Sequence, residues 1–208
     1  MKTSGLEVRQ DRTGDTRDEE LVILVDATGD AIGAAEKKLV HQFGMRHRAF
    51  SIFLVDDKRR VVLQQRHPSK YHSGGLWANS CCGHPRPGES TAAAAARRLQ
   101  EELGVRVPLQ FGFCTSYAAA LGNGLTENEI VSVFFGQLRT AIRPNADEIS
   151  RTRLMQLPAL VDDIAKRPQI YAYWVKHYFE HHGAEIAALC GRLAKLADSA
   201  AEESLRTA

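Results

Sequence analysis

The most specifically spaced chemical groups in this chain lie in GHPRPGESTAAAAARRLQEELGV, which begins at Gly83 and ends at Val105. Its second half reads as a helix over 91–103: strong helix formers fill it, Glu89-Ser90-Thr91 offers a polar cap, and Gly104 stops it. On that helix Arg97 and Glu101 stand four residues apart, as do Arg98 and Glu102, so each pair shares a face and can close as an ion pair or meet a charged ligand together. RRLQEEL alone is equally at home as a solvated, self-paired helix surface. The fixed distances to Gly83, Glu89 and Gly104 are what such a surface would not need.

That spacing resembles the Nudix box, in which a glycine loop feeds a helix whose glutamates bind divalent metal against a diphosphate. The resemblance makes residues 79–105 the expected catalytic segment of a metal-dependent enzyme acting on a small diphosphate. One position departs from the hydrolase form of the box: Arg98 stands where a glutamate is usual. A cation there repels Mg²⁺ and attracts phosphate oxygens, which suits holding a diphosphate better than cleaving it. Outside the box, NSCCGHP at 79–85, TENE at 126–129, EKKLVHQFGMRHRAF, QQRHPSK and the surroundings of Trp174 resemble the type 1 isopentenyl-diphosphate isomerase family, over roughly residues 21–179.

The resemblance implies a residue-by-residue site. Moving a double bond from isopentenyl to dimethylallyl diphosphate requires adding a proton on one side and removing one on the other. A thiol suits the removal, since its reference pKa of about 8.5 is easily lowered by positive neighbours; by resemblance this is Cys82, while Cys81 has no such role. The opposing acid is Glu129 with Tyr117, a pair expected to titrate as a unit, with the delivering member left open. His41, His47, His84, Glu127 and Glu129 match the family's metal site, a donor set that suits Zn²⁺ or Mn²⁺. Mg²⁺ is expected with the diphosphate, held by Glu102 and the Cys82 backbone carbonyl. Lys37, Arg66, Lys70 and Arg98 match phosphate contacts, and Trp174 matches the aromatic face that stabilises a tertiary carbocation. The other histidines, His67, His72, His177, His181 and His182, are read as ordinary, and Trp77 as structural.

These groups need a scaffold. Apolar residues at 44% and charged residues at 25% over 208 positions describe a globular chain with one sizeable core. Residues 21–25 read as a strand, 50–55 and 61–65 as an antiparallel hairpin with a five-residue connection, and 109–117, 129–139 and 148–156 as further strands. From Pro158 the pattern turns helical. The fold class is α+β (α/β), a Nudix-type α/β/α sandwich with a mixed sheet and extra C-terminal helices. We divide it into a loose extension over 1–19, one catalytic domain over 20–182 and a helical tail over 183–208.

A formal charge of +2, without a dense basic stripe, argues against nucleic acid as a partner. No run of about 20 apolar residues crosses a membrane, and the N-terminus lacks an apolar signal stretch. The four cysteines are too scattered for a disulfide framework. The expectation is a cytoplasmic enzyme, monomeric or weakly dimeric, whose partner is its small diphosphate substrate. The rivals are a Nudix hydrolase, which needs neither Cys82 nor the His/Glu set, and a non-enzymatic binding domain, which would not need Cys82, Tyr117 and Glu129 together.

Overall fold

The structure, a computed structural model, describes the backbone of residues 21–206 and the side chains of 21–193. The extension expected over 1–19 lies outside the described residues. Among the described residues nine strands form one mixed sheet: β1 (Leu21–Val25), β2 (Ala31–Glu36), β3 (His47–Val55), β4 (Arg60–Arg66), β5 (Trp77–Ala78), β6 (Cys81–Gly83), β7 (Leu109–Ala120), β8 (Thr126–Gln137) and β9 (Ile149–Gln156). The helices are α1 (Lys37–Phe43), α2 (Thr91–Leu103), α3 (Leu157–Lys166) and α4 (Tyr173–Arg206).

β3 is the keel of the sheet. HRAFSIFLV is buried at every position but Arg48, as a strand covered on both faces must be. Its alternation sorts the two layers: Ala49, Phe53 and Val55 join Trp174, Val175 and Tyr178 of α4 in one core, while Phe50, Ile52 and Leu54 join Ala94, Ala95, Leu99 and Leu103 of α2 in the other. This is the expected sandwich. β3 runs parallel to β8 along its whole length and antiparallel to β6 over Phe50, Ser51 and Ile52.

Those pairings correct the expected hairpin. β3 and β4 meet only at Val55 opposite Val61, because β8 and β6 claim the edges of β3, and β4 turns away to pair with β9. The long loop expected between 117 and 129 is also shorter: β7 continues to Ala120 and β8 begins at Thr126, joined through a 3₁₀ turn at Gly122–Gly124. Neither β2 nor α1 has a clear signal in the sequence, since AIGAAE is largely exposed and carries no strong pattern, and α1 is barely two turns long.

α2 has the expected bounds and caps. Ser90 accepts a bond from the Ala93 amide, and Gly104 closes the helix in the left-handed region at φ 66, where a side chain would also meet Arg143 at 3.0 Å. α4 passes through the boundary drawn at 182/183 with a kink at His182, and beyond it Ile186, Leu189, Cys190 and Leu193 are buried in the α4-side core. Among the described residues no helix is long and apolar enough to cross a membrane.

Candidate active site

Strand register assembles the centre of the site. Glu129 on β8 lies opposite His47 on β3 and opposite Tyr117 on β7, so three adjacent strands carry Tyr117, Glu129 and His47 in one lateral row. On the other edge of β3, Cys82 stands opposite Ser51. Because successive strand residues face opposite ways, Cys81 is buried in the α2-side core while Cys82 lines a cavity of about 260 Å³. Tyr117, Glu127, Glu129, Trp174 and Tyr178 share that cavity, and Lys37, Arg66, Lys70, Arg98 and Glu102 line it too. The sequence therefore names groups that the fold brings together.

Behind this wall lies a buried imidazole cluster. His41 on α1 and His47 on β3 are fully buried, and their Nδ1 atoms sit 2.6 Å from the Lys37 carbonyl and 2.9 Å from the Met45 carbonyl. A carbonyl only accepts, so each Nδ1 carries a proton, and each Nε2 is the nitrogen left to meet a carboxylate as N–H or a cation as a lone pair. His47 Nε2 is 3.2 Å from His84 Nε2 and 3.4 Å from Glu129 Oε1, and His84 Nε2 is 2.9 Å from that same oxygen. Donors held about 2.1 Å from one ion are separated by about 3.0–3.4 Å around its polyhedron, which these spacings match. His41 Nε2 and Glu127 Oε2, 3.4 Å apart, are buried without any hydrogen-bond partner. The residues fit a divalent cation.

Within the expected ligand set there is a division. His41, His47, His84 and Glu129 form one group of converging donors, and Glu127 joins His41 in a second group whose third member is His72. Reading His72 as ordinary is thus corrected. It is buried, stacks on His41 at a ring distance of 5.3 Å, and lies with Nε2 3.5 Å from Glu127 Oε1. Its only sequence signal was position, in the loop between the QQRHPSK and NSCCGHP motifs.

The electrostatics follow from burial. Burial and the charge of Glu129 raise the Glu127 carboxyl, whereas at Glu129 the bonds to His47 and His84 outweigh burial and hold the carboxyl well below the usual range. Burial pushes His84 down to about 4 and, with Arg66 assisting, His72 down to about 2, so both are neutral imidazoles. Tyr117 is raised by burial and then by Glu129, and remains a phenol that donates to Glu129 Oε2 at 2.6 Å.

Cys82 departs from the expected depressed thiol. Burial pushes it up to about 12, against the opposing bond to Ser51 at 3.2 Å and the weaker influences of Arg66 and of Asn79 Oδ1, which accepts from the thiol at 3.1 Å. Ser51 continues to the Tyr178 hydroxyl at 2.8 Å, and Asn79 Oδ1 also accepts from Trp174 Nε1 at 3.1 Å. Ser51 and Tyr178 escaped the sequence reading because only the fold places them beside the thiol.

The opposite end of the cavity is a network of paired charges. Arg98 donates to Glu101 at 2.8 Å and to Glu102 at 2.6 Å, and reaches Glu148 at 3.2 Å, while Lys70 also pairs with Glu148. The cation expected at Arg98 is therefore largely compensated. Gln64 donates to the other Glu102 oxygen at 3.1 Å. Gly83 lets this end close, since a Cβ there would lie 3.0 Å from the Phe50 ring. Arg66 lies 5.3 Å from the Trp174 ring centre, and Trp77 packs under Arg153 at 4.1 Å, away from the cavity lining, as a structural tryptophan should.

Fold and site together define a NUDIX-domain protein: residues 45–178, more than half of the chain, match the NUDIX domain family. Solved structures share the fold, among them a protein from Deinococcus radiodurans (TM-score 0.58, 18% identity, 71% of this chain and 90% of that one). A MutT protein from Methanosarcina mazei is similar too (TM-score 0.57, 16% identity, 67% and 94%). Within that class the chain belongs to the isopentenyl-diphosphate Delta-isomerase family. It is 46% identical to isopentenyl-diphosphate Delta-isomerase 2 of Aromatoleum aromaticum, over 76% of this chain and 83% of the relative. It is 43% identical to isopentenyl-diphosphate Delta-isomerase of Serratia proteamaculans, over 85% and 98%.

Proposed function

We propose that this enzyme interconverts isopentenyl and dimethylallyl diphosphate for isoprenoid synthesis. The observation that carries the reading is the placement of two proton-handling groups on one small cavity: the Cys82 thiol from β6 and the Tyr117–Glu129 pair from β7 and β8. In the forward direction the Glu129–Tyr117 pair adds a proton to the terminal alkene carbon, leaving a tertiary cation, and Cys82, which acts as a base only in its thiolate form, takes one from the carbon next to the cation on its diphosphate side. The reverse reaction exchanges these roles. Trp174, buried at the cavity wall, presents the aromatic face that stabilises the cation and helps exclude water.

Arg66, Lys70, Lys37 and Arg98 are the basic groups that hold the diphosphate, and Glu102 with the Cys82 carbonyl would hold the Mg²⁺ that accompanies it. His41, His47, His84, Glu127 and Glu129 would hold Zn²⁺ or Mn²⁺, which when bound supplies a fixed positive charge behind Glu129. Arg98 in place of a box glutamate, closed onto Glu102, supports isomerisation over hydrolysis. We further infer a cytoplasmic enzyme, monomeric or weakly dimeric, that binds neither nucleic acid nor membrane.

The test is incubation with isopentenyl diphosphate in D₂O with Mg²⁺ and either Mn²⁺ or Zn²⁺. Deuterated dimethylallyl diphosphate with no phosphate release is expected. Release of phosphate or of a monophosphate ester would return the site to the hydrolases.

A further inference from the structure

His72 is a buried imidazole outside the four converging donors. Its ring is stacked on His41 at an interplanar angle of 22° and stands edge-on to Tyr71 at 4.5 Å and to Trp174 at 6.2 Å. Three aromatic neighbours thus fix its plane. Its backbone is also tied, because its carbonyl accepts from Arg66 Nη2 at 3.3 Å. Held this way, Nε2 points at Glu127 Oε1 from 3.5 Å, a separation that a small side-chain rotation closes to a hydrogen bond.

Glu127 needs such a partner. It is 2% exposed, its Oε2 lies 3.4 Å from His41 Nε2, and that oxygen has no hydrogen-bond partner. A carboxylate ligand works best when its second oxygen is pinned by a donor, which fixes its orientation before the ion arrives. His41 Nε2 meets one Glu127 oxygen, Oε2, whereas His72 Nε2 meets the other, Oε1. Its place is behind the carboxylate.

We propose that His72 is a positioning residue of the metal centre, donating Nε2–H to Glu127 Oε1 so that Oε2 stays turned toward His41 and the ion. This rests on the reading of the His/Glu cluster as a metal site. It adds a histidine from the loop after β4 to a centre otherwise built from α1, β3, β8 and the end of β6.

The experiment is titration of the metal-stripped full-length protein with Mn²⁺, following free Mn²⁺ by its electron paramagnetic resonance signal. His72→Leu is expected to weaken Mn²⁺ binding by about tenfold to a hundredfold. His72→Gln, whose amide offers an N–H in the same direction, should stay within about threefold of the parent. In a Glu127→Gln background, His72→Leu should cost nothing further, because it acts through that carboxylate. Unchanged affinity in His72→Leu, or an equal loss in both backgrounds, overturns the proposal while leaving the metal centre standing. If the parent protein itself fails to bind Mn²⁺, the metal reading falls with it. Should His72→Leu fail to fold, His72→Asn, too short to reach Oε1, takes its place under the same criteria.

Discussion

The two ends of the cavity solve opposite electrostatic problems. At the α2 end the carboxylates are paired: Arg98 serves Glu101, Glu102 and Glu148, and Lys70 also meets Glu148. At the imidazole end, His41 Nε2 and Glu127 Oε2 are buried without partners, and His47 and His84 bring ring nitrogens within 3.2 Å of each other. Buried polar atoms left this way cost about 1–3 kcal/mol each. One end is complete as protein and must open its ion pairs to admit an anion. The other is incomplete until a cation enters, so it should respond far more strongly to metal.

The largest effects should fall between the two ends, at the proton-handling pair. Cys82→Ala and Glu129→Gln are each expected to lower turnover by about 10³-fold or more, the scale of general acid–base catalysis. Deuterium incorporation into dimethylallyl diphosphate measures it, with circular dichroism confirming the fold. Turnover within tenfold of the parent in either variant would remove that residue from the chemistry.

Metal removal separates the ends directly. Saturating a site at a hundred times its dissociation constant adds about 2.7 kcal/mol of stability, which for a chain of this size raises the melting temperature by about 5–11 °C. That increment should vanish in His84→Ala and persist in Arg98→Gln, read by thermal melts with and without Mn²⁺. An increment of equal size in both variants would mean that the two ends do not differ in their need for a cation.

How much of this was legible beforehand follows the same division. The α2 end is local: Gly83, Glu89, Arg97, Arg98, Glu101, Glu102 and Gly104 lie within one loop and one helix, so spacing alone revealed the helix, its caps and its i,i+4 pairs. The row of Tyr117, Glu129 and His47 depends on a parallel pairing between strands some eighty residues apart, which no local pattern encodes, and it was named only through family resemblance. Where neither locality nor resemblance reached, the reading missed: His72 and Glu148 sit on connections after β4 and before β9, and Ser51 and Tyr178 look like ordinary core polar residues until the fold sets them beside a thiol. At Cys82 burial, invisible in sequence, outweighs the nearby Arg66 charge and raises the thiol.

A smaller effect tests the paired end. Arg98→Gln leaves Glu101, Glu102 and Glu148 without their shared cation, close to where the diphosphate would sit. We expect KM for isopentenyl diphosphate to rise about tenfold with kcat changed less than about threefold, the pattern of lost uniform binding. A fall in kcat at unchanged KM would place Arg98 in the transition state and join the two ends into one machine.

The smallest effect concerns the scaffold beneath that end. Glu89 accepts from Arg97 Nε and Nη2, both at 2.8 Å, and from the Arg86 amide at 3.0 Å, and Arg97 first of all holds its carboxyl down to about 2. Unfolding returns it to its ordinary value of 4.5. A carboxylate depressed in the folded state contributes stability that is fully present above the unfolded value and fades as pH falls toward the folded one. Glu89→Gln keeps an acceptor but loses the charge, so it should cost about 1 kcal/mol at neutral pH, about 2–4 °C in melting temperature. The gap to the parent should narrow between about pH 4.5 and pH 2, because the parent then protonates the group that the variant lacks. A gap that stays constant across that window would mean that Glu89 acts through packing, and that the arginine beside Arg98 is not an electrostatic anchor of the loop.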